Sequence, residues 1–418
     1  MAPETVAEPT TKPRSVDEQL SRIFEMISPL QSYDQSLLDA YGLPACENVL
    51  SPIALPRFDN SAMDGYAVRR ADVEGASDES PIHLPVVGES AAGSAKPYAM
   101  APRTCLKIMT GAPMPAGADA VAPIEWTDGG RATVRIFTTP HPGQYVRRAG
   151  EDVWEGDLIV AEGTVLGPRH IGLLASVGRA QIRARPRPRV VVLSTGSELR
   201  DPGTGLGFDS IYDGNSFMLA AAARAVGAIT YRVGIVSDDP QDFSDALSDQ
   251  LVRADVVVTS GGVSKGEYDV VKDVLSRLGT VEFCEVAMQP GKPQGFGRVG
   301  EDGTPIFTLP GNPVSAYVSF EVFVAPALRC MMGRLPYRRP LVQAILTADV
   351  RSIPGRRQYV RACFEVTARG ATVSPVGGHG SHLVGDLARA NALVVVAEDV
   401  TSLAAGDAVG VMVLDRDN

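Results

Sequence analysis

The first regular pattern in the chain is helical. Leu20, Ile23, Phe24 and Ile27 recur at i, i+3, i+4 and i+7, the spacing that gathers apolar side chains on one helix face. Ser15-Val16-Asp17-Glu18 stands ahead of them, and a Ser with a Glu three residues on can satisfy two orphan amides reciprocally. A helix from Ser15 to about Leu30 is expected. From about Ala45 to Ala184 the rhythm changes. Short apolar runs (Ile82–Val87, Cys105–Met109, Val134–Phe137) lie between Gly, Pro and Asp clusters, which predicts a β-rich region with long turns. Gly167–Val177 reads as a short helix within it.

Arg183-Ala184-Arg185-Pro186-Arg187-Pro188-Arg189 reads as a stiff basic linker. Beyond it, apolar strand-like runs alternate with helical ones. The strands are Val190–Leu193, Tyr231–Val236, Asp255–Thr259, Val281–Val286 and Ile306–Leu309; the helices are Ser216–Val226, Asp242–Arg253, Val270–Leu278 and Pro313–Met332. Fully apolar strands alternating with amphipathic helices predict βαβ units and a parallel sheet covered on both faces. After Pro336 the helices stop, and Leu341–Val350, Gln358–Val366, Ala392–Ala397 and Val409–Leu414 predict a small β-domain.

The 418 residues carry 39 Lys+Arg against 49 Asp+Glu, a net charge of −10. That sign argues against a protein that grips nucleic acid by bulk charge. No stretch reaches the run of apolar residues a membrane helix needs, because Glu321 breaks Val314–Leu328. The first fourteen residues are polar and Pro-rich, expected as a loose tail rather than an export signal. The five cysteines stand at least 33 positions apart, so neither CxxC sites nor a disulfide framework is expected. A reduced, cytoplasmic setting fits.

In an open parallel sheet, ligands bind beyond the carboxyl ends of the strands. Three loops occupy that position: Ser194-Thr195-Gly196-Ser197-Glu198, Thr259-Ser260-Gly261-Gly262-Val263-Ser264 and Pro310-Gly311-Asn312-Pro313-Val314-Ser315. Each offers hydroxyls and free amides suited to an oxyanion. Any one alone is equally well read as a turn, but three at one edge favour a ligand site. No GxxxxGK[ST] occurs, and Gly203–Gly207 reads as a surface loop. Glu198, Asp238, Asp239 and Asp269 fall at or after strand ends, hard oxygens of the kind Mg²⁺ takes; Asp239 also reads as a helix cap. Phe58–Tyr66 reads as an Asx-rich turn, not a calcium loop, since Arg70 stands where a glutamate is needed. No third ligand accompanies His379 and His382. Lys292, in Pro290-Gly291-Lys292-Pro293, is held for a fixed anion contact.

These motifs carry a resemblance. FDNSAMDGYA (58–67), IMTGAPMPAGADAV (108–121), RRAGED (147–152), LSTGSEL (193–199), TSGGVS…YD (259–269), PGKP (290–293) and LPGNPVS (309–315) occur in the order seen in molybdopterin molybdenumtransferases, which include the E domain of gephyrin. The resemblance spans about 15–418. It implies a multidomain α+β and α/β fold: a connector of 15–57 plus 145–185, an inserted β-rich domain of 58–144, a doubly wound α/β domain of 186–335, and a C-terminal β-barrel of 336–418. It further implies an elongated homodimer with the site between subunits.

The implied reaction moves molybdenum from molybdate into adenylylated molybdopterin, releases AMP and depends on Mg²⁺; the upstream adenylyltransferase is an implied partner. By motif, Asp59 and Thr110 would serve the substrate cleft. Thr195, Gly196, Ser260, Gly261, Gly262, Ser264, Pro310, Gly311 and Asn312 would cradle the substrate. Glu198, Asp238 and Asp269 would be the metal and catalytic carboxylates, with Asp59 in a catalytic role. Lys292, Ser315, Arg361 and Ser381 would form the molybdate pocket. Three residues depart from the pattern: Gln289 replaces a common Lys, which either weakens molybdate binding or shifts the load to Arg357 or Arg361, Lys265 replaces an apolar residue, and Asp386 replaces a frequent Ser. Two other functions, adenylyl transfer and non-enzymatic scaffolding, fit less of the chain.

Overall fold

The structure, a computed structural model, describes residues 13–93, 99–262, 270–277, 281–368 and 370–415. The chain divides into two compact units. One comprises Met1–Gln35, Gly42–Cys46 and Arg183–Asn418, the other Ser36–Tyr41 and Glu47–Ile182.

In the first unit the expected N-terminal helix forms over Val16–Met26. Glu18 N donates to Ser15 Oγ at 3.2 Å, and Ser15 N donates to Glu18 Oε2 at 2.7 Å, so both halves of the capping box are made. The helix ends earlier than expected: Ile27 is already extended, and Pro29 disfavours helical geometry at Ser28.

The six-stranded central sheet runs Ile229–Val236, Arg189–Thr195, Val256–Ser260, Thr304–Leu309, Pro293–Val299, Val281–Glu285. The first four strands are mutually parallel; Pro293–Val299 is antiparallel to both of its neighbours, so Val281–Glu285 again runs in the sense of the first four. The domain is thus doubly wound and mostly parallel, as expected, with one strand reversed near an edge. The connections around Pro293–Val299 are too short for a crossover helix, which leaves only antiparallel pairing. That strand, Pro-Gln-Gly-Phe-Gly-Arg-Val, has none of the β-branched density that announced its neighbours. Val191, Leu193, Val257 and Ile306 pack on Phe243, Leu247 and Leu275 of the covering helices. The carboxyl ends of the parallel strands, Thr195, Ser260 and Leu309, thus share one edge.

Pro313–Met332 is one continuous helical stretch with a wide π turn at Phe320–Val324. Contrary to the expectation from Glu321, its length and composition would let it cross a membrane, but nearly all of it is buried inside the fold. Glu321 is neutralised there by Arg339, at 2.8 Å. It is a core helix.

The C-terminal strands close on themselves in the order Arg357–Thr367, Gly370–Pro375, Leu341–Leu346, Ala408–Val413, Ala392–Val396, with the last pairing back to the first. This is a five-stranded barrel, which leaves no free edge. The expected strand Leu341–Val350 is two pieces, Leu341–Leu346 and Val350–Arg351, and Gly370–Pro375 was not anticipated.

The second unit holds a five-stranded sheet ordered Ala120–Pro123, Gly65–Val68, Cys105–Ile108, Ile82–Ser90, Thr133–Ile136. FDNSAMDGYA is therefore more than a turn: Asn60–Ser61 and Gly65–Val68 are strands. At Gly65 a Cβ would lie 2.1 Å from the carbonyl oxygen of Ala122 on the paired strand. Gly65→Ala is expected to cost about 1–3 kcal/mol, at the upper end because a backbone atom cannot rotate aside. Chemical denaturation of the chain would show it, and an unchanged midpoint would refute the close approach.

Candidate active site

The three strand-end loops open on a single cavity of about 570 Å³. Thr195, Glu198, Ser260, Gly261 and Gly311 line it. Gly196 (φ +150) leaves room for the Glu198 carboxylate: a Cβ there would lie 2.6 Å from Glu198 Oε2. Asp238 Oδ2 accepts from the amide of Ser197 at 2.7 Å, so two of the predicted carboxylates flank one turn. That turn leads into the short strand Leu199–Arg200 rather than into a helix. Asp239 caps Pro240–Leu251, accepting from Gln241 N and Asp242 N at 2.8 and 3.1 Å. Gly262, Pro310 and Asn312 belong to the same loops without lining the cavity. Ser264, Lys265 and Asp269 lie outside the described residues.

Two residues that sequence reasoning missed organise this edge. Asn215 Nδ2 donates to Ser260 Oγ at 2.9 Å and to Gly311 O at 2.6 Å, tying two loops to the start of helix Asn215–Val226. Asp213, 1% exposed, accepts from Ser216 N at 3.0 Å, Ser216 Oγ at 2.5 Å and Ser194 Oγ at 3.3 Å. The available signal was Asp213-Gly214-Asn215-Ser216 ahead of an Ala-rich helix, a dense run of capping residues.

On the other side of the 310–315 turn, a small recess is lined by Gln289, Pro290, Val314, Arg361, Gly378 and His379. Arg361 is 4% exposed. It donates from Nη1 to Leu383 O at 2.9 Å and from Nη2 to Gly378 O. Among the described residues no carboxylate forms an ion pair with it; burial pulls its pKa below the ordinary value, partly opposed by the charge of Asp386. Val314 N donates to Ser381 O at 3.0 Å, which brings the Ser381 loop against the turn carrying the buried Ser315.

Lys292 does have a fixed anion contact, but the anion is the Glu285 carboxylate at 2.7 Å. It lines neither the cavity nor the recess. Arg357 is likewise engaged, by Asp17 at 2.7 Å and Glu398 at 2.9 Å.

In the second unit, three motifs converge. Asp59 Oδ1 accepts from Ala149 N at 2.8 Å and Oδ2 from Arg148 Nη1 at 2.6 Å. Asp64 Oδ1 accepts from Thr110 N at 2.7 Å and Thr110 Oγ1 at 2.9 Å. Ser61 N donates to Ala112 O at 3.0 Å, and Gly111 N to Ser61 O at 2.8 Å. The Ala149 amide and the Arg148 guanidinium hold Asp59 below its ordinary pKa. A depressed carboxyl contributes stability above its unfolded pKa and loses it as pH falls through the folded one. Asp59→Asn is expected to flatten the acid limb of the second unit's stability below about pH 4, as followed by hydrogen exchange at Ala149.

The cavity can take a phosphate-bearing ligand larger than a nucleoside, and the recess a small oxyanion. Family models described as "MoeA N-terminal region (domain I and II)", "Probable molybdopterin binding domain" and "MoeA C-terminal region (domain IV)" match residues 14–178, 191–330 and 343–414. Molybdopterin molybdenumtransferase 2 of Mycobacterium tuberculosis is 47% identical over 399 residues, covering 94% of this chain and 98% of that protein. Molybdopterin molybdenumtransferase 1 of the same organism is 41% identical over 421 residues, covering 96% and 99%. A crystal structure of a molybdopterin biosynthesis MoeA protein from Pyrococcus horikoshii superposes with a TM-score of 0.79 at 31% identity, covering 97% of this chain and all of that one. The chain belongs to the molybdopterin molybdenumtransferase family.

Proposed function

We propose that this chain transfers molybdenum from molybdate into adenylylated molybdopterin and releases AMP. The observation that carries the reading is the single cavity at the parallel-sheet edge, lined by the hydroxyl residues Thr195 and Ser260 together with the backbone of Gly261 and Gly311. A pterin joined through a diphosphate to adenosine needs that length and that lining. One residue further along the same turn, the recess with Arg361 offers a buried cation to a tetrahedral oxyanion. Arg361, held by two carbonyls, would fix molybdate beside the dithiolene, with Ser315 and Ser381 as hydroxyl donors. Lys292 acts at one remove in this reading, because Glu285 holds it.

Mg²⁺ is implied by the family. The donor set at the turn fits it: Glu198 and Asp238 supply hard oxygens, and Mg²⁺ is commonly held by one or two carboxylates plus substrate phosphates. Glu198 and Asp238 would hold the ion, with Asp269 of the Tyr268-Asp269 motif; bound there, it would neutralise charge on the phosphoryl oxygens. The chain's own Gly311 amide, with the Thr195 and Ser260 hydroxyls, would orient the phosphoanhydride, and water attack on it would free AMP.

Mixing the purified chain with adenylylated molybdopterin, molybdate and Mg²⁺ should release AMP in step with molybdenum incorporation. Adenylyl transfer would instead consume ATP, and a scaffold would release nothing. Asp269→Asn is expected to keep substrate binding and to lower AMP release by at least about a hundredfold. Undiminished release would remove Asp269 from the reaction.

A further inference from the structure

The cavity has two chemically different halves. Hydroxyls and loop amides line the half at the sheet edge, while the opposite half draws its wall from the barrel domain. There Leu387, on the short helix Val384–Arg389, and Leu414, after the last barrel strand, line the cavity together with Met218 and Tyr317 of the α/β domain. Nothing about phosphate binding requires this apolar wall.

The wall is also held in place. Tyr317 hydrogen-bonds Glu321 and is largely buried, so its phenol is pushed well above the ordinary value. Glu321 in turn is paired with Arg339 at 2.8 Å. Met218 lines the cavity with Tyr317, a thioether that adapts to a flat partner. At the rim stands Asp415. Among the described residues no hydrogen bond or ion pair engages its carboxylate. A carboxylate only accepts hydrogen bonds, so it selects for N–H donors and repels ring oxygens or lone pairs.

We propose that this apolar half seats the fused amino-heterocycle of the substrate between Tyr317, Met218, Leu387 and Leu414, with Asp415 as the specificity-determining residue that reads the exocyclic amine. The inference rests on the function proposed above and names the group that occupies this part of the cavity. Adenine and pterin both carry such an amine, and the two are separated by experiment.

Binding to the full chain is measured by calorimetry with two matched pairs: AMP against purine riboside monophosphate, and pterin against lumazine. In each pair only the first member carries the exocyclic amine. For one pair, the amine-bearing member should bind at least about tenfold more tightly, as expected for hydrogen bonds to a charged acceptor. That pair identifies the seated heterocycle. Asp415→Ala should reduce the preference to within about twofold, while Asp415→Asn, which keeps one acceptor, should retain part of it. Leu387→Trp, which fills the slot, should weaken both members of the pair alike. Thermal melts of the Asp415 variants should match the parent, since the side chain is exposed. The proposal fails if neither pair discriminates, if the discrimination survives Asp415→Ala, or if Leu387→Trp leaves both affinities unchanged. AMP release by the parent chain is scored separately. An Asp415-dependent preference without AMP release would sink the transferase reading and leave the amine-reading subsite standing.

Discussion

Asn215→Ala should lower the rate of AMP release about a hundredfold while leaving the melting temperature within a few degrees of the parent. The side chain donates to Ser260 Oγ and Gly311 O, groups on loops that leave two hydrogen-bonded neighbouring strands. Both loops border the cavity, so water can replace the lost amide, and the stability cost stays near 1 kcal/mol. Catalysis is less forgiving, because a drift of about 1 Å in positioning groups can cost a hundredfold. Asn215→Asp should be worse than Ala, since its carboxylate would face the Gly311 carbonyl without a donor. The fall should appear mainly in kcat, with a smaller rise in KM, because the loops would still exist but no longer in register. A loss confined to KM would show that Asn215 merely helps binding.

The second large effect is on stability. Arg339→Met is expected to destabilise the unit containing the α/β and barrel domains by about 3–5 kcal/mol, because it strands the Glu321 carboxylate in the core. Glu321 is 3% exposed and pairs with Arg339 at 2.8 Å. Met conserves most of the apolar stem, so the loss is electrostatic rather than steric. Glu321→Gln together with Arg339→Met should recover much of the loss, since no charge is then left unpaired. The single variant should also respond to pH in a particular direction. A buried carboxyl without its partner has a raised folded-state pKa, so the deficit should shrink as pH falls and Glu321 takes up a proton. A deficit unchanged from neutral to mildly acidic pH would point to lost packing instead. Tyr317 lines the cavity through the same chain of contacts, so Arg339→Met should also weaken ligands that occupy the apolar half.

Much of the fold was legible because its signals are short. The capping box spans Ser15 to Glu18, and both of its bonds form. Alternating apolar strands and helices announced the doubly wound core, and the glycine-bearing loops lie at its carboxyl edge as the strand-end rule requires. What escaped was governed by neighbours rather than by intrinsic preference. Pro293–Val299 is a strand because Gly295 lets Thr308 and Phe283 close over it, and Gly65–Val68 because Ala120–Pro123 lies alongside.

The site divides in the same way. Thr195, Ser260, Gly261 and Gly311 could be named from local motifs, since loop chemistry at a strand end is written within a few residues. Lys292 could be named too, but not its engagement by Glu285, which settles whether its charge is free. The sequence by itself determined which elements form, where the glycine-bearing strand-end turns fall, and the family to which their order belongs. Only the tertiary structure decided which side chains meet. Asn215 reaches Gly311 across 96 residues, and Arg148 reaches Asp59 across 89. Contacts at such separations depend on how whole sheets and helices pack, and no local preference encodes that.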